Sequence, residues 1–533
     1  MLTESPARLR WRLDPWVVWL PLLAFGLGLG WAPLFDVDEG AFAEATREML
    51  QRRDWIATWL NDQPRYDKPI LIYWLQALAV AVLGPSEWAF RAPSALAACA
   101  WAWAVWHFAR PRLGHDAARL ALAMVCTAWG PWIIGRAATA DALLNLWLTL
   151  AGLDLWRYLE TAPQYDRAAL RRAYAWVALG LLTKGPVAAL VPAAAAAVYC
   201  LSRRELRPLW VAARDPWGWA LLLGIAGPWY AAILATHGQA FIDGFILKHN
   251  VQRFTHTLEG HGGSLAYYVV MLPLLLAPWS LRLPSTIARL RQDWQDPLAV
   301  YLWGWALFVL AFFSLSGTKL PHYVLYGSTP LFLLLARHWG SGGRLPLFGA
   351  VALLGLWPTL PWLTQVLAER TSNGYYADQL RLALALAGPG YWVVTLGAAA
   401  LGLALLAWRR GSTATRMMAL AALHTLVLAL AVAPWAGEVL QGAVKRAGLQ
   451  TRAAGVSAVT WRFDAPSFSV YRQAVTPRRE PAVGEWALTR SDRDPPWPAR
   501  EHDRRGGVVL LERLPDGPAT PGAAQTSTST ASP

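Results

Sequence analysis

What most limits this chain is a series of apolar runs of membrane length, separated by short polar loops. The first runs from Trp16 to Leu34 and ends at Phe35-Asp36-Val37-Asp38-Glu39-Gly40. Backbone amides in hydrocarbon must find partners within their own segment or in a closed sheet, so only helices or barrels can carry such runs. The runs are long and rich in Ala and Leu rather than alternating, which selects helices. Of 533 residues, 55% are hydrophobic and only 15% charged, a balance that, spread over many separate apolar runs, describes a polytopic membrane protein. The expected class is an all-α polytopic membrane protein with no cleaved leader, because the first run lacks a small-residue cleavage site. The net charge of +14 comes largely from Arg in short loops. That pattern reads as positive-inside topology rather than nucleic-acid binding. Cys99, Cys126 and Cys200 fall within apolar runs and read as packed thiols.

Arg8, Arg10 and Arg12 precede the first run and put the N-terminus in the cytoplasm. Basic loops at 110–112, 157–172, 203–214, 282–291, 337–344 and 409–416 are assigned to the same side. Parity then requires about thirteen crossings, with residues 70–109 supplying one full span and one partial or interfacial helix. The C-terminus is expected outside. The opposite loops are 35–69, 135–140, 236–265, 317–321, 366–390 and everything after 436. The expected layout is a cytoplasmic segment 1–15, a membrane domain 16–435, a small α/β unit 436–514 and a disordered tail 515–533. Strands are expected near 456–463, 467–471, 486–489 and 507–511. In the first outer loop, Phe42, Ala45, Met49 and Leu50 recur at helical spacing opposite Glu44, Arg47, Glu48 and Arg52. That predicts a helix lying on the membrane surface.

This topology gathers distant polar residues on one face. A carboxylate such as Asp38 facing water can act as a base or orient an acceptor, although Asp38-Glu39 also suits a helix N-terminus. Lys68, in Tyr66-Asp67-Lys68-Pro69, can bind phosphate as a point charge, or simply reach out of the hydrocarbon. Lys248, Arg253 and Lys319 are cations on the side where cations are rare, which points to an anionic ligand. His249 with a carboxylate from another loop is a possible divalent-metal pair, but its spacing follows neither a zinc-finger nor an HExxH form. No nucleotide-binding loop is present.

Several of these segments together resemble the polyprenyl-phosphate-sugar-dependent glycosyltransferases of the GT-C fold. That family includes the lipid A 4-amino-4-deoxy-L-arabinose transferase and, more distantly, the protein O-mannosyltransferases. The resemblance rests on Asp38-Glu39, Arg47-Glu48-Met49-Leu50, Tyr66-Asp67-Lys68-Pro69 and Arg136 to Asp141. It continues through Leu182-Thr183-Lys184-Gly185-Pro186, Lys248 to Phe254, Glu259-Gly260-His261-Gly262-Gly263 and Thr318-Lys319-Leu320-Pro321-His322-Tyr323. It covers roughly residues 15–435, with a weaker echo from Pro466 to Tyr471. It implies a bacterial inner-membrane enzyme with thirteen membrane helices, interfacial helices and a periplasmic active site. The donor would be a sugar on undecaprenyl or a similar polyprenyl phosphate. The acceptor would be lipid A, another glycan or a protein, and the anomeric carbon would be inverted.

The implied catalytic set is Asp38, Glu39 and Asp141, with Asp38 reacting and Glu39 supporting it. The implied donor-phosphate set is Lys68, Arg253, Lys319 and Tyr323. Asp67 and His249 would hold a divalent metal (Zn, Mg or Mn). The chain departs from the family pattern at Ala41, Phe42 and Asp67, where Arg, Tyr and Glu are common. The rival expectation is a transporter or flippase of lipid-linked sugars, which predicts internal repeats and mid-membrane ionisable residues. Neither stands out in the sequence.

Overall fold

The computed structural model describes residues 14–257, 260, 262–341, 343–408 and 410–515. Glu259 and His261, nearly all of the N-terminal segment and the expected disordered tail lie outside the described residues. The first apolar run forms a helix, Pro15–Gly26, capped by Asp14, whose carboxylate accepts from the Trp16 amide at 3.0 Å. The chain then turns into the outer-loop helix Asp38–Arg52. A hairpin of two helices follows, Leu71–Leu83 and Glu87–Leu113. At about 1.5 Å per residue the first of these is too short to cross the hydrocarbon, as the partial helix expected in 70–109 requires.

Glu39 ties these pieces together. Its carboxylate meets Arg91, from Glu87–Leu113, at 2.6 Å and 2.8 Å, and accepts from the Phe35 and Ala138 amides. Arg91 spends its other donors on the carbonyls of Leu29, Ala32 and Pro33. Both side chains are buried.

Among the described residues, five helices are long and apolar enough to cross a membrane, or up to seven if each bent pair counts as one span. The chain is a mostly helical, multi-pass membrane protein. The count is below the expected thirteen because some apolar helices, Pro15–Gly26 and Val187–Ser202 among them, are short, and other helices of the bundle carry charge. Asp141–Glu160 is one: its Asp154 is buried and paired with Arg157 and Arg172 at 2.7 and 2.8 Å. Residues 236–265, expected as an outer loop, are helical as far as Thr255. Pro216–Thr255 is nearly continuous, with a kink at Gly238 (φ 46°) and a π-helical stretch, Ile242–Gln252. Residues 366–390, likewise expected as loop, are mainly the helices Leu360–Arg370 and Gly374–Leu386.

At the other end, Thr413–Ala454 runs as one helical rod past the boundary expected at 435–436. Beyond it lies a four-stranded sheet in the order Ala458–Thr460, Trp486–Arg490, Val508–Arg513, Ala499–Arg505. The first pair is parallel and the others antiparallel. Two sequence expectations fail here. Residues 467–471 are not a strand but part of a short helix, Pro466–Arg472, with Pro at its start and residues 466–471 all buried. The strand Ala499–Arg505 escaped notice because its charged residues give an edge strand no apolar alternation.

That short helix also changes the reading of the outer-loop helix. Its Glu44 and Glu48 were expected on a solvated face but are fully buried beneath the C-terminal unit. Glu48 caps the Asn61 and Asp62 amides, and Glu44 pairs with Arg47. Asp36 grips Ser467 through that residue's amide (2.8 Å) and hydroxyl (2.5 Å). Burial pushes Asp36 and Glu44 each up to about 7, and the nearby Asp464 and Glu39 add to the effect at Asp36.

Two outcomes are expected. Arg91→Ala leaves Glu39 buried without its partner and should cost about 3–5 kcal/mol in thermal unfolding in detergent. Replacing both residues, with Glu39→Gln and Arg91→Met, should recover most of that loss. Asp36 and Glu44 hold protons more tightly folded than unfolded. Docking of the C-terminal unit should therefore be firmest near pH 4 and weaken as the pH rises to about 7. Hydrogen exchange of residues 456–475 at pH 5 and pH 8 would read this directly.

Candidate active site

A polar cavity of about 550 Å³ lies where the outer-loop helix, the bundle and the C-terminal unit meet. Asp38, Arg65, Asp67, Lys68, Asp141, Lys184, Arg253, His322 and Asp464 line it, together with Ala41 and Phe42. Beside it runs an apolar groove of about 330 Å³ walled by Val187, Leu190, Phe245, Ile246, Phe254, Phe312 and Phe313. Asp67, Lys68, Lys184 and Arg253 line both spaces and form the boundary between them.

Each part of the chain delivers its residues for a local reason. Asp38 is the first residue of its helix, where a carboxylate suits the helix dipole. Asp67 and Lys68 precede Pro69, just before the hairpin enters the bundle. Asp141 opens the Asp141–Glu160 helix, and Lys184 ends Arg167–Lys184 just before the φ +80° turn at Gly185. His249 and Arg253 ride on the extension of Pro216–Thr255. π-helical turns of this kind often occur at functional sites.

The four acids of the cavity differ in their partners, and Asp464 pairs with Arg478 at 3.5 Å. Asp141 is held by Lys184 at 2.5 Å, with His322 and the Tyr326 hydroxyl both at 3.4 Å. Asp67 is held by Lys68 at 2.5 Å and Arg65 at 2.9 Å, with His249 Nδ1 at 3.1 Å. Despite its burial, those cations keep the Asp67 carboxyl well below the usual carboxylate range. Asp38 has no hydrogen-bond or ion-pair partner among the described residues, and its side chain stands open to the cavity. Enclosure by protein, reinforced by the like charge of Asp141, raises its carboxyl above the ordinary value against the pull of Lys68 and Lys184.

Asp38, Asp67, Lys68, Asp141 and Arg253 all come together as the sequence led us to expect. Tyr323 is on the groove wall and accepts from Arg253 at 3.3 Å. Glu39 lies outside both spaces with its oxygens committed to Arg91 and two amides. Lys319 also lines neither space and donates to the Ser316 carbonyl at 2.5 Å. Four lining residues were absent from the expected set. Arg65 adjoins Tyr66-Asp67-Lys68-Pro69, while Lys184 and His322 lie inside two other motifs of the resemblance, and His322 with Tyr323 was expected to reach this cleft. Asp464 gave no local signal, because only the tertiary fold brings it here.

For a metal, the donors fit a partial site. His249 Nδ1 is buried and makes no hydrogen bond, although Asp67 Oδ1 is 3.1 Å away. No group of three or more His, Cys, Asp or Glu side chains suited to a metal occurs among the described residues. Any ion held here would therefore need oxygens from a ligand or from water to complete its shell.

The profile of the family described as dolichyl-phosphate-mannose-protein mannosyltransferase matches residues 67–229. The undecaprenyl phosphate-alpha-4-amino-4-deoxy-L-arabinose arabinosyl transferase of Aeromonas salmonicida is 29% identical over 452 residues, covering 80% of this chain and 77% of that protein. Its counterpart from Shewanella sediminis is 29% identical over 321 residues, covering 59% of this chain. In that alignment the chain spans 58% of the relative's length. Among solved structures, ArnT from Cupriavidus metallidurans bound to undecaprenyl phosphate superposes with a TM-score of 0.78 at 20% identity. That match covers 94% of this chain and 98% of ArnT. In fold the chain matches ArnT, and in sequence it is similar to the undecaprenyl phosphate-alpha-4-amino-4-deoxy-L-arabinose arabinosyl transferases.

Proposed function

We propose that this protein moves a sugar from an undecaprenyl or similar polyprenyl phosphate to an acceptor at the periplasmic face of the bacterial inner membrane. One observation carries the reading: an apolar groove and a polar cavity share a boundary made of Lys68, Lys184 and Arg253. A carrier lipid has this same division into a hydrocarbon tail, a phosphate and a sugar. The tail would follow Phe245, Phe254 and Phe313, the phosphate would meet the cations, and the sugar would enter the cavity beside Asp38. The names of the relatives support this donor class, and the resemblance noted in the sequence makes lipid A an acceptor to test alongside other glycans and proteins. In the proposed topology the chain crosses the membrane about thirteen times, with a cytoplasmic N-terminus and a periplasmic C-terminus.

In the proposed reaction an acceptor oxygen attacks the anomeric carbon from the face opposite the phosphate, inverting it. The carbon–oxygen bond to phosphate breaks and its electron pair leaves with the carrier. Lys68 and Arg253 stabilise that developing charge, with Tyr323 holding Arg253 in place. Asp38, the acid without a cation of its own, takes the acceptor's proton or orients an acceptor that is already an anion. Asp141 holds Lys184 in the cavity wall. Asp67 and His249 would hold a divalent ion, which would supply further charge for the phosphate.

The deciding experiment incubates purified protein with a panel of polyprenyl-phosphate sugars. Release of free polyprenyl phosphate that depends on added acceptor supports the transferase and excludes a flippase. Asp38→Ala should fold normally and lose at least about a hundredfold in kcat. Lys68→Ala and Arg253→Ala should each weaken carrier binding about tenfold. Because Asp38 works ionised and its carboxyl is raised, activity should fall as the pH drops through a range above that of an ordinary aspartate. A pH–rate profile unchanged in Asp38→Asn would remove the residue from the reaction.

A further inference from the structure

We infer that Ser467 of the C-terminal unit, acting through Asp36 and Gly40, is a positioning residue that sets where Asp38 stands. The inference rests on the reading of Asp38 given above. The Asp38 side chain has no tie of its own among the described residues, so its place must be fixed by its backbone. That backbone is pinned on both sides of it. Two residues before, the Asp36 carboxylate takes both the amide and the hydroxyl of Ser467. Two residues after, Gly40 packs so closely that a Cβ would fall on the Asp36 carboxylate and within 2.5 Å of the Ser467 nitrogen.

Ser467 itself is fully buried, so no water replaces its hydroxyl. The same short helix reaches the first outer loop twice more. The Tyr471 hydroxyl accepts from the Leu34 amide at 2.7 Å, and Ser469 donates to Asn61 at 3.0 Å. The grip therefore spans residues 34–61 with Asp38 inside it. Small displacements of a reacting group are costly to rate while leaving remote binding contacts intact. The carrier phosphate and tail are read by Lys68, Arg253 and the Phe-lined groove, none of which touches this grip.

The test compares Ser467→Ala and Asp36→Asn with Thr489→Val. Thr489 is buried in the same unit and bonded to the Trp461 carbonyl, so its loss weakens the unit without touching the grip. Ser467→Ala and Asp36→Asn should lower kcat about tenfold and leave KM for the carrier within about twofold. Amides 38–42 should exchange faster in both variants. Thr489→Val should lower the melting temperature but keep kcat and that exchange pattern. The inference is overturned if Ser467→Ala keeps wild-type kcat, if Thr489→Val costs as much kcat, or if exchange at 38–42 does not change. Should wild-type protein transfer no sugar at all, the proposed function fails, while the exchange data still decide whether Ser467 holds the Asp38 segment.

Discussion

The buried pair Glu39–Arg91 is the contact on which the arrangement of the outer face depends. A charge removed from water is tolerable only when nearly every donor and acceptor on it is used. Here Glu39 takes two bonds from Arg91 and two from backbone amides, and Arg91 serves three carbonyls at the end of the first apolar run. One ion pair thus joins the first span, the outer-loop helix, the long Glu87–Leu113 helix and the segment just before Asp141. Asp38 is the next residue along. Successive residues on a helix point about 100° apart, so one acid faces the scaffold and its neighbour faces the cavity.

The site separates charge by role. Of the four cavity acids, Asp464 pairs with Arg478, while Asp67 and Asp141 are committed to Lys68, Arg65 and Lys184, which holds those cations at fixed places beside the groove. An ammonium or guanidinium fixed in this way meets an incoming phosphate with little reorganisation, the arrangement most useful to a leaving anion. Asp38 is the exception, with no hydrogen-bond or ion-pair partner among the described residues, and in the proposed function that freedom leaves it available to the acceptor.

Much of this was legible in the residues, and what was missed has physical reasons. The spans appeared as apolar runs, and Asp38, Asp67, Lys68, Asp141 and Arg253 as charges that the topology gathers on one side. Lys319 and Glu39 carried the same signal and yet turn elsewhere, because charge and side of the membrane do not specify which way a side chain faces. Glu44 and Glu48 looked solvated because their helix packs against Pro466–Arg472, more than four hundred positions away, and because Glu48 turns onto the amides of Asn61 and Asp62. The helical course of residues 236–255 was hidden by its polar composition, since a helix can leave the bilayer without ending.

The rod Thr413–Ala454 bears on how the outer unit moves. At 1.5 Å per residue its 42 residues extend about 63 Å, roughly twice the hydrocarbon thickness. The sheet is carried on the end of a membrane helix rather than on a flexible tether, and the short helix 466–472 fastens it again at the first outer loop. A body mounted at two such points does not wander over the cavity. Its opening would need either the rod to tilt in the bilayer or the second mount to release, so lipid thickness and the grip of residues 466–472 act on the same mechanical element.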